Sequence, residues 1–506
     1  MAQRMIWSGL VSLLLAVAPV WADVQTEAQE IIRTAGLGNA KVAVTAVDLN
    51  SGETLVAILP DEPMIPASNL KLITSAAAID VLGPDFVFES QLQLAGHTPD
   101  GGAIIVIKGD GDPGWGDPEL LRRYGPEHLN DIEKLIAAWA DAVKEAGVTR
   151  ISELVMDDRV FDQDFIHPSW PADQLHRWYC AQVAGFNFFD NCFLVQPTPT
   201  RVGEAPRITI LPSFDALTTT NRAVTIARGD PTFDLSRKIG GNDLAFWGNV
   251  PMRGAAPAEV TLHDPPMTFG AIFAERLRRR GIEVGTVRRA GEADTFAGAQ
   301  VLHRVRTPLT SVLARCNKNS QNLFADAMLK RMGRAYTGAP GGWNNGAAAV
   351  RAFLSERALG PAAAAAVSIA DGSGLSRDNR VTSRILVDLL TWMYRHPVYG
   401  PIYRDSLSIA GRDGSLTHRL HNLHGQLYGK TGYINQVGSL SGYLVLPATM
   451  DSTGTPIAPE RAIAFSIIIN NARAGNHQFH QLQDRLVRLI DRTAHKLQTA
   501  ATAPAR

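Results

Sequence analysis

The sequence predicts an α+β protein of two or three domains, on three observations. Residues 41–58, 426–434, 440–446 and 462–471 have strand character, and helical periodicity fills the stretches beside them. Between about 82 and 300 the texture changes to short strands, turns and isolated helices. At 506 residues the chain is also too long for one compact domain.

The elements follow in order. The start, "MAQRMIWSGLVSLLLAVAPVWADVQ", has a basic Arg4, an apolar run from Met5 to Val20, and small residues at Val20 and Ala22. That is a secretory signal peptide over 1–22, cleaved after Ala22. No later stretch is long and apolar enough to span a bilayer, so the mature protein is expected to be soluble, exported to the periplasm and without a transmembrane anchor.

"KVAVTAVDLNSGETLVAI" alternates on both sides of Asn50-Ser51-Gly52 and predicts a β-hairpin. In "IPASNLKLITSAAAI" Pro66 suits a helix entry, and Leu70, Ile73, Ala77 and Val81 recur at helical spacing. Ser68 therefore sits near a helix amino terminus. Residues 82–300 read as an inserted region of two small β-rich domains. Its "GDGDPGWGD" lacks the lysine and hydroxyl of a phosphate loop and reads as a turn.

Helices return in "PLTSVLARCNKNSQNLFADAMLKRMG" and "NNGAAAVRAFLSERALG". Three strands and a final helix follow, with Leu482, Leu486, Leu489 and Leu497 on one face of that helix. That face is expected to pack on the sheet, while its arginines would also permit peripheral membrane association. Residues 501–506 form a flexible tail.

Composition removes some functions. Lys plus Arg balances Asp plus Glu at 49 each, so the chain has no electrostatic footprint of a nucleic-acid binder. Three cysteines enter an oxidising compartment. Cys180 and Cys192 are close enough in sequence to close a short loop as a disulfide, leaving Cys316 as a buried small hydrophobe.

Three short motifs carry the chemistry: "SNLK" at Ser68–Lys71, "SQN" at Ser320–Asn322, and "KTG" at Lys430–Gly432. A serine hydroxyl is a poor nucleophile until a base takes its proton. Three residues on a helix place Lys71 beside Ser68, and a lysine screened from water near another cation sheds its proton near neutral pH. The helix amino terminus aims backbone N–H groups at Ser68, forming half of an oxyanion hole. Losing one such donor typically costs about 3–4 kcal/mol.

Ser320 can relay a proton to the leaving group, and the Asn322 carboxamide can orient a substrate amide and Lys71. Lys430 and Thr431 on a strand suit a substrate carboxylate, and Gly432 lets an extended peptide approach the backbone.

The set resembles the penicillin-binding proteins and serine β-lactamases, whose signature runs S-x-x-K, S-D-N, K-T-G. It is most similar to the low-molecular-mass class C penicillin-binding proteins, periplasmic D-alanyl-D-alanine carboxypeptidases and endopeptidases. "PASNLKLITSAAA", "GDGDPGW", "GVTRISELVMDDRVFD", "NKNSQNLFADAML", "DGSGLSRDNRVT", "GRDGSLTHRL" and "GKTGYINQVGSLSGYL" carry that resemblance across the mature chain.

The resemblance implies a transpeptidase-like fold, an antiparallel sheet flanked by helices, assembled from 23–81 and 301–500 around the β-rich insert. It implies that Ser68 is acylated by the penultimate D-alanine, with Lys71 as base, Ser320 and Asn322 relaying protons and orienting the peptide, and Lys430 and Thr431 receiving the terminal carboxylate. The second oxyanion donor would be the Tyr433 N–H. Peptidoglycan stem peptides and cross-links are the implied partners, with β-lactams as acylating inhibitors and no cofactor. The alternatives are a β-lactamase or esterase on the same fold, or a slow peptidoglycan-binding protein.

Tyr433 departs from the family pattern, which has threonine or serine there to help hold the carboxylate. Gln321 and Asp326 also depart, without an assigned chemical role. Asp173, in "SWPADQLHRWYC", lies near where the family contacts the diamino acid of the stem peptide. "DGSGLSR" reads as a tight turn supporting the site. His418, His421 and His424 recur every third residue without an acidic partner in sequence, and no metal site is expected there. No G-x-S-x-G is present, which counts against an α/β-hydrolase.

Overall fold

A computed structural model describes residues 23–123, 131–450 and 456–500. The expected signal peptide (1–22) and the tail (501–506) lie outside the described residues. No helix among the described residues is long and apolar enough to cross a membrane.

The chain divides into two compact units. The first takes the described residues up to 80 together with 313–320 and 350 onward. Its centre is a six-stranded antiparallel sheet in the order Ser408–Ile409, Gln426–Ile434, Val437–Leu446, Arg461–Asn470, Lys41–Asp48, Thr54–Ile58. Lys41 pairs with Asn470 and Asp48 with Ile463, so the amino-terminal hairpin completes a sheet begun some 400 residues later in the chain.

Val437–Leu446 is buried at every position, because helices cover both faces of the sheet there. On one face Phe479, Leu482, Leu486 and Leu489 of the final helix, Asn476–Ala500, join Val24, Ala28 and Ile31 of the helix at 23–33 in a common core. Leu497 packs against that core from its edge. The apolar face of the final helix is thus spent on the sheet, and each fully buried leucine contributes roughly 1.5–3 kcal/mol.

Leu70–Leu82, the helix that follows Ser68, is buried through its first ten residues, Leu70 to Ile79. A helix that is apolar on all sides belongs in the interior. Its sequence, rich in alanine and leucine, supplies both the propensity and the slim profile for that place.

The second unit comprises 81–312 and 321–349. It is larger than the expected insert because Gln300–Pro308 pairs along its length with Val87–His97, which draws the following residues with it. The unit holds a five-stranded sheet in the order Glu283–Arg289, Arg150–Asp157, Ala103–Lys108, Val87–His97, Gln300–Pro308. Its first three strands run parallel. Helices Ile132–Glu145 and Pro265–Arg278 pack on it through Trp139, Phe269 and Phe273. Shorter ladders fill 192–261.

The expected disulfide is not formed: Cys180 and Cys192 are not bonded to each other, and Cys180, Cys192 and Cys316 are all buried. Cys192 opens a strand paired with Ala258–Thr261, and Arg177, just before the turn Trp178–Cys180, pairs with the other side of that strand at Val260. A strand therefore stands between the two segments. At Arg177, where the segments run side by side, two inter-strand spacings come to roughly 9–10 Å, more than the roughly 7 Å that a disulfide spans between Cα atoms, and no bond joins Cys180 to Cys192.

Candidate active site

Ser68 sits in a single 3₁₀ turn, Ala67–Asn69, that runs straight into the buried helix. Ala67 holds a left-handed φ of 47°, a conformation costing of order 1–2 kcal/mol for a residue with a side chain. The neighbours enforce it. A Cβ at Gly374 would stand 1.9 Å from the Ala67 carbonyl oxygen, so only glycine lets that loop close over the turn. Ser439 Oγ donates to the Pro66 carbonyl at 2.7 Å.

Lys71, three residues on, is fully buried. Its Nζ lies 2.9 Å from Ser68 Oγ and donates to the Ser373 carbonyl at 2.8 Å. Ser373 belongs to "DGSGLSR", which is a supporting turn as read from the sequence. Asp371 builds it, accepting from the N–H groups of Gly374 at 2.8 Å and Ser376 at 2.7 Å and from Asn379 Nδ2 at 2.8 Å. The turn reaches Lys71 through the Ser373 carbonyl and closes on the Ser68 turn at Gly374.

Gln426–Ile434 carries the third motif past the Ser68 turn. A Cβ on Gly432 would meet Ser68 N at 2.9 Å and Ser439 Oγ at 2.2 Å, so the strand lies backbone to backbone against Ser68. Lys430 is fully buried, and its Nζ donates to Ser320 Oγ at 2.8 Å and to the Thr431 carbonyl at 2.7 Å. Burial, with the Lys71 ammonium nearby, pushes the Lys430 ammonium well below the usual lysine range. Ser320 holds a left-handed φ of 60° at the end of helix Leu309–Lys318.

The first unit thus brings Ser68, Lys71, Ser320, Lys430, Thr431, Gly432 and Tyr433 together. Asn322 opens helix Asn322–Thr337 in the second unit, where its Nδ2 donates to the Tyr179 carbonyl at 2.8 Å. Asp173 is exposed in a short turn, Ala172–Gln174, of that same unit.

Three contacts were not read from the sequence. Thr431 Oγ1 donates to Ser415 Oγ at 2.7 Å. Asn69, with its amide oriented to satisfy both ends, donates to the Lys430 carbonyl at 2.8 Å. The Ser373 carbonyl is the third. Ser415 lies in the quoted "GRDGSLTHRL", but nothing in its spacing points to Thr431.

His424, the last of the three spaced histidines, has a structural job. Asp491 of the final helix accepts from His424 Nδ1 at 2.7 Å and from the N–H groups of His424 and Gly425 at 2.9 and 3.0 Å. That fastens the residues just before the Lys430 strand. Among the described residues no group of three or more His, Cys, Asp or Glu is arranged to hold a metal.

A buried lysine against a serine, with a second lysine and serine beside them, is chemistry for forming and breaking an acyl-serine. Known proteins agree. A model of the D-Ala-D-Ala carboxypeptidase 3 (S13) family matches residues 24–493. A D-alanyl-D-alanine carboxypeptidase from an Actinomadura species is 31% identical over 514 residues, covering 96% of this chain and 89% of that protein. The D-alanyl-D-alanine carboxypeptidase DacB of Haemophilus influenzae is 24% identical over 417 residues, 80% of this chain and 82% of its own.

The crystal structure of penicillin binding protein 4 (dacB) from Haemophilus influenzae superposes with a TM-score of 0.69 at 21% identity, over 90% of this chain and 97% of that one. That likeness shows the α+β fold expected from the sequence. With a family model spanning residues 24–493 and a relative of 31% identity covering 96% of the chain, the chain belongs to the D-Ala-D-Ala carboxypeptidase 3 (S13) family of serine peptidases.

Proposed function

We propose that the protein cuts D-alanyl bonds of peptidoglycan in the periplasm through an acyl-enzyme on Ser68, releasing terminal D-alanine and opening D-alanyl cross-links. The observation that carries this reading is the 2.9 Å approach of Lys71 Nζ to Ser68 Oγ beside the 2.8 Å approach of Lys430 Nζ to Ser320 Oγ.

Two ammonium groups in one buried pocket repel, which favours loss of a proton from the pair and leaves an amine able to act as base. The Lys71 amine takes the Ser68 proton as Oγ attacks the carbonyl carbon of the penultimate D-alanine. Developing negative charge on the carbonyl oxygen falls to the N–H groups of Ser68 and Tyr433. The carbon–nitrogen bond then breaks, and the leaving amine takes a proton through Ser320 from the lysine pair. Water cleaves the ester and restores the Ser68 hydroxyl. Lys430 and Thr431 hold the carboxylate of the leaving amino acid, and Asn322 orients the peptide. A β-lactam enters by the same attack, but its ring-opened amine stays tethered.

Export follows from the amino terminus, with the mature chain beginning after Ala22. The test is the intact mass of the mature protein after benzylpenicillin, beside Ser68→Ala. The expected result is a stable single adduct on the wild type and none on the variant. Drug hydrolysis without an adduct would instead favour a β-lactamase, and the absence of both adduct and hydrolysis would sink the reading.

A further inference from the structure

Tyr433 follows Gly432 on the strand beside Ser68 and is a large side chain that is 48% exposed. The proposed carboxylate site has a short hydroxyl on one side only, at Thr431. Tyr433 offers a ring instead, and the structure holds that ring in place. Its cross-strand partner is Gly438, and a Cβ there would stand 2.8 Å from the Phe479 ring. With no side chain at Gly438, Phe479 seats itself on the strand, fully buried, and meets the Tyr433 ring at 6.0 Å between centroids and 50° between planes.

This is an aromatic shelf with a rigid support and an open upper face. Gly432, one residue away, faces Ser68 N, and the Tyr433 ring leaves the opposite face of the same strand toward the final helix, so the shelf flanks the strand edge one residue beyond that contact.

Resting on the acyl-serine reading above, we infer that Tyr433 is a specificity-determining residue on the leaving-group side. Its ring lies under the side chain of the amino acid whose amine is expelled. A methyl group covers little of an aromatic face, whereas a long methylene chain covers much of it. The shelf therefore favours leaving groups with long side chains, the diamino acids of a cross-link, over D-alanine. The backbone N–H at 433 is unchanged by side-chain substitution, so oxyanion stabilisation is separable from this preference.

The experiment compares two acyl peptides differing only in the last residue, D-Ala-D-Ala and D-Ala-D-Lys, on wild type, Tyr433→Phe and Tyr433→Thr. Thermal melts and benzylpenicillin adducts run alongside as controls of folding and of Ser68. The wild type and Tyr433→Phe should prefer D-Ala-D-Lys. In Tyr433→Thr the ratio of kcat/KM for the long over the short substrate should fall about three- to tenfold.

An unchanged ratio in a folded, penicillin-reactive Tyr433→Thr overturns the shelf and leaves the acyl-serine reading standing. Failure of the wild type to cleave either peptide overturns that reading and the inference with it.

Discussion

At the scale of single residues, burying Lys430 costs stability. Its neutral partners, Ser320 Oγ and the Thr431 carbonyl, satisfy its N–H groups but not its charge. Its folded pKa lies below the ordinary 10.5, so the folded state binds fewer protons than the unfolded chain. The penalty is full at low pH and is relieved as pH climbs toward 10.5. Lys430→Met should therefore melt higher than wild type at pH 7, by about 1–4 kcal/mol, and lose the alkaline rise in stability. Its benzylpenicillin acylation rate should drop by at least about a hundredfold. Melting curves from pH 6 to 10, beside stopped-flow acylation, check both halves; a lower melting point for the variant would refute the account.

At the scale of elements, the site is a 3₁₀ turn, a strand and a loop locked around one another. Asp371 converts the loop into a fixed object by accepting two backbone N–H groups and the Asn379 amide. Asp371→Asn turns one acceptor into a donor facing donors, and should lower stability by about 2–4 kcal/mol. Because the loop's Ser373 carbonyl steadies Lys71, acylation should slow as well, with the lost rate in kcat more than in KM. Urea unfolding and peptide kinetics on the same preparation test this. Retained stability with slowed acylation would mean that the loop acts on Lys71 by some route other than its own rigidity.

At the scale of the whole molecule, the second unit brings its own pH dependence. Asp112 is fully buried, with its carboxyl pushed up from 3.8 to about 7, first by desolvation and then by Asp110 and Asp117, against the pull of Thr307 Oγ1 and the Gly114 N–H. A carboxyl whose folded pKa is raised favours folding at low pH. That contribution is lost as pH rises from about 4 through about 7, and by pH 8 the penalty is about 4 kcal/mol. Asp112→Asn should raise the melting temperature, more at pH 8 than at pH 5. The cysteines give a second check: the unreduced protein, unfolded in guanidinium, should titrate three thiols, and a count of one would restore the Cys180–Cys192 bond.

The sequence by itself determined that Lys71 stands beside Ser68, because a three-residue helical spacing is a local property that needs no partner to be read. It likewise determined the hairpin, the buried helix and the four-leucine face, where periodicity records which side meets the core. Tertiary structure alone decided what arrives from far along the chain. Strand Gln300–Pro308 joins Val87–His97 through backbone pairing, which sequence does not encode residue by residue, and so the second unit extends past the expected boundary. The same pairing logic set a strand between the segments of Cys180 and Cys192. Ser415 against Thr431 and Phe479 beneath Tyr433 belong to the same class of fact. Spacing fixes which residues share a face, but only the packed chain fixes which faces meet.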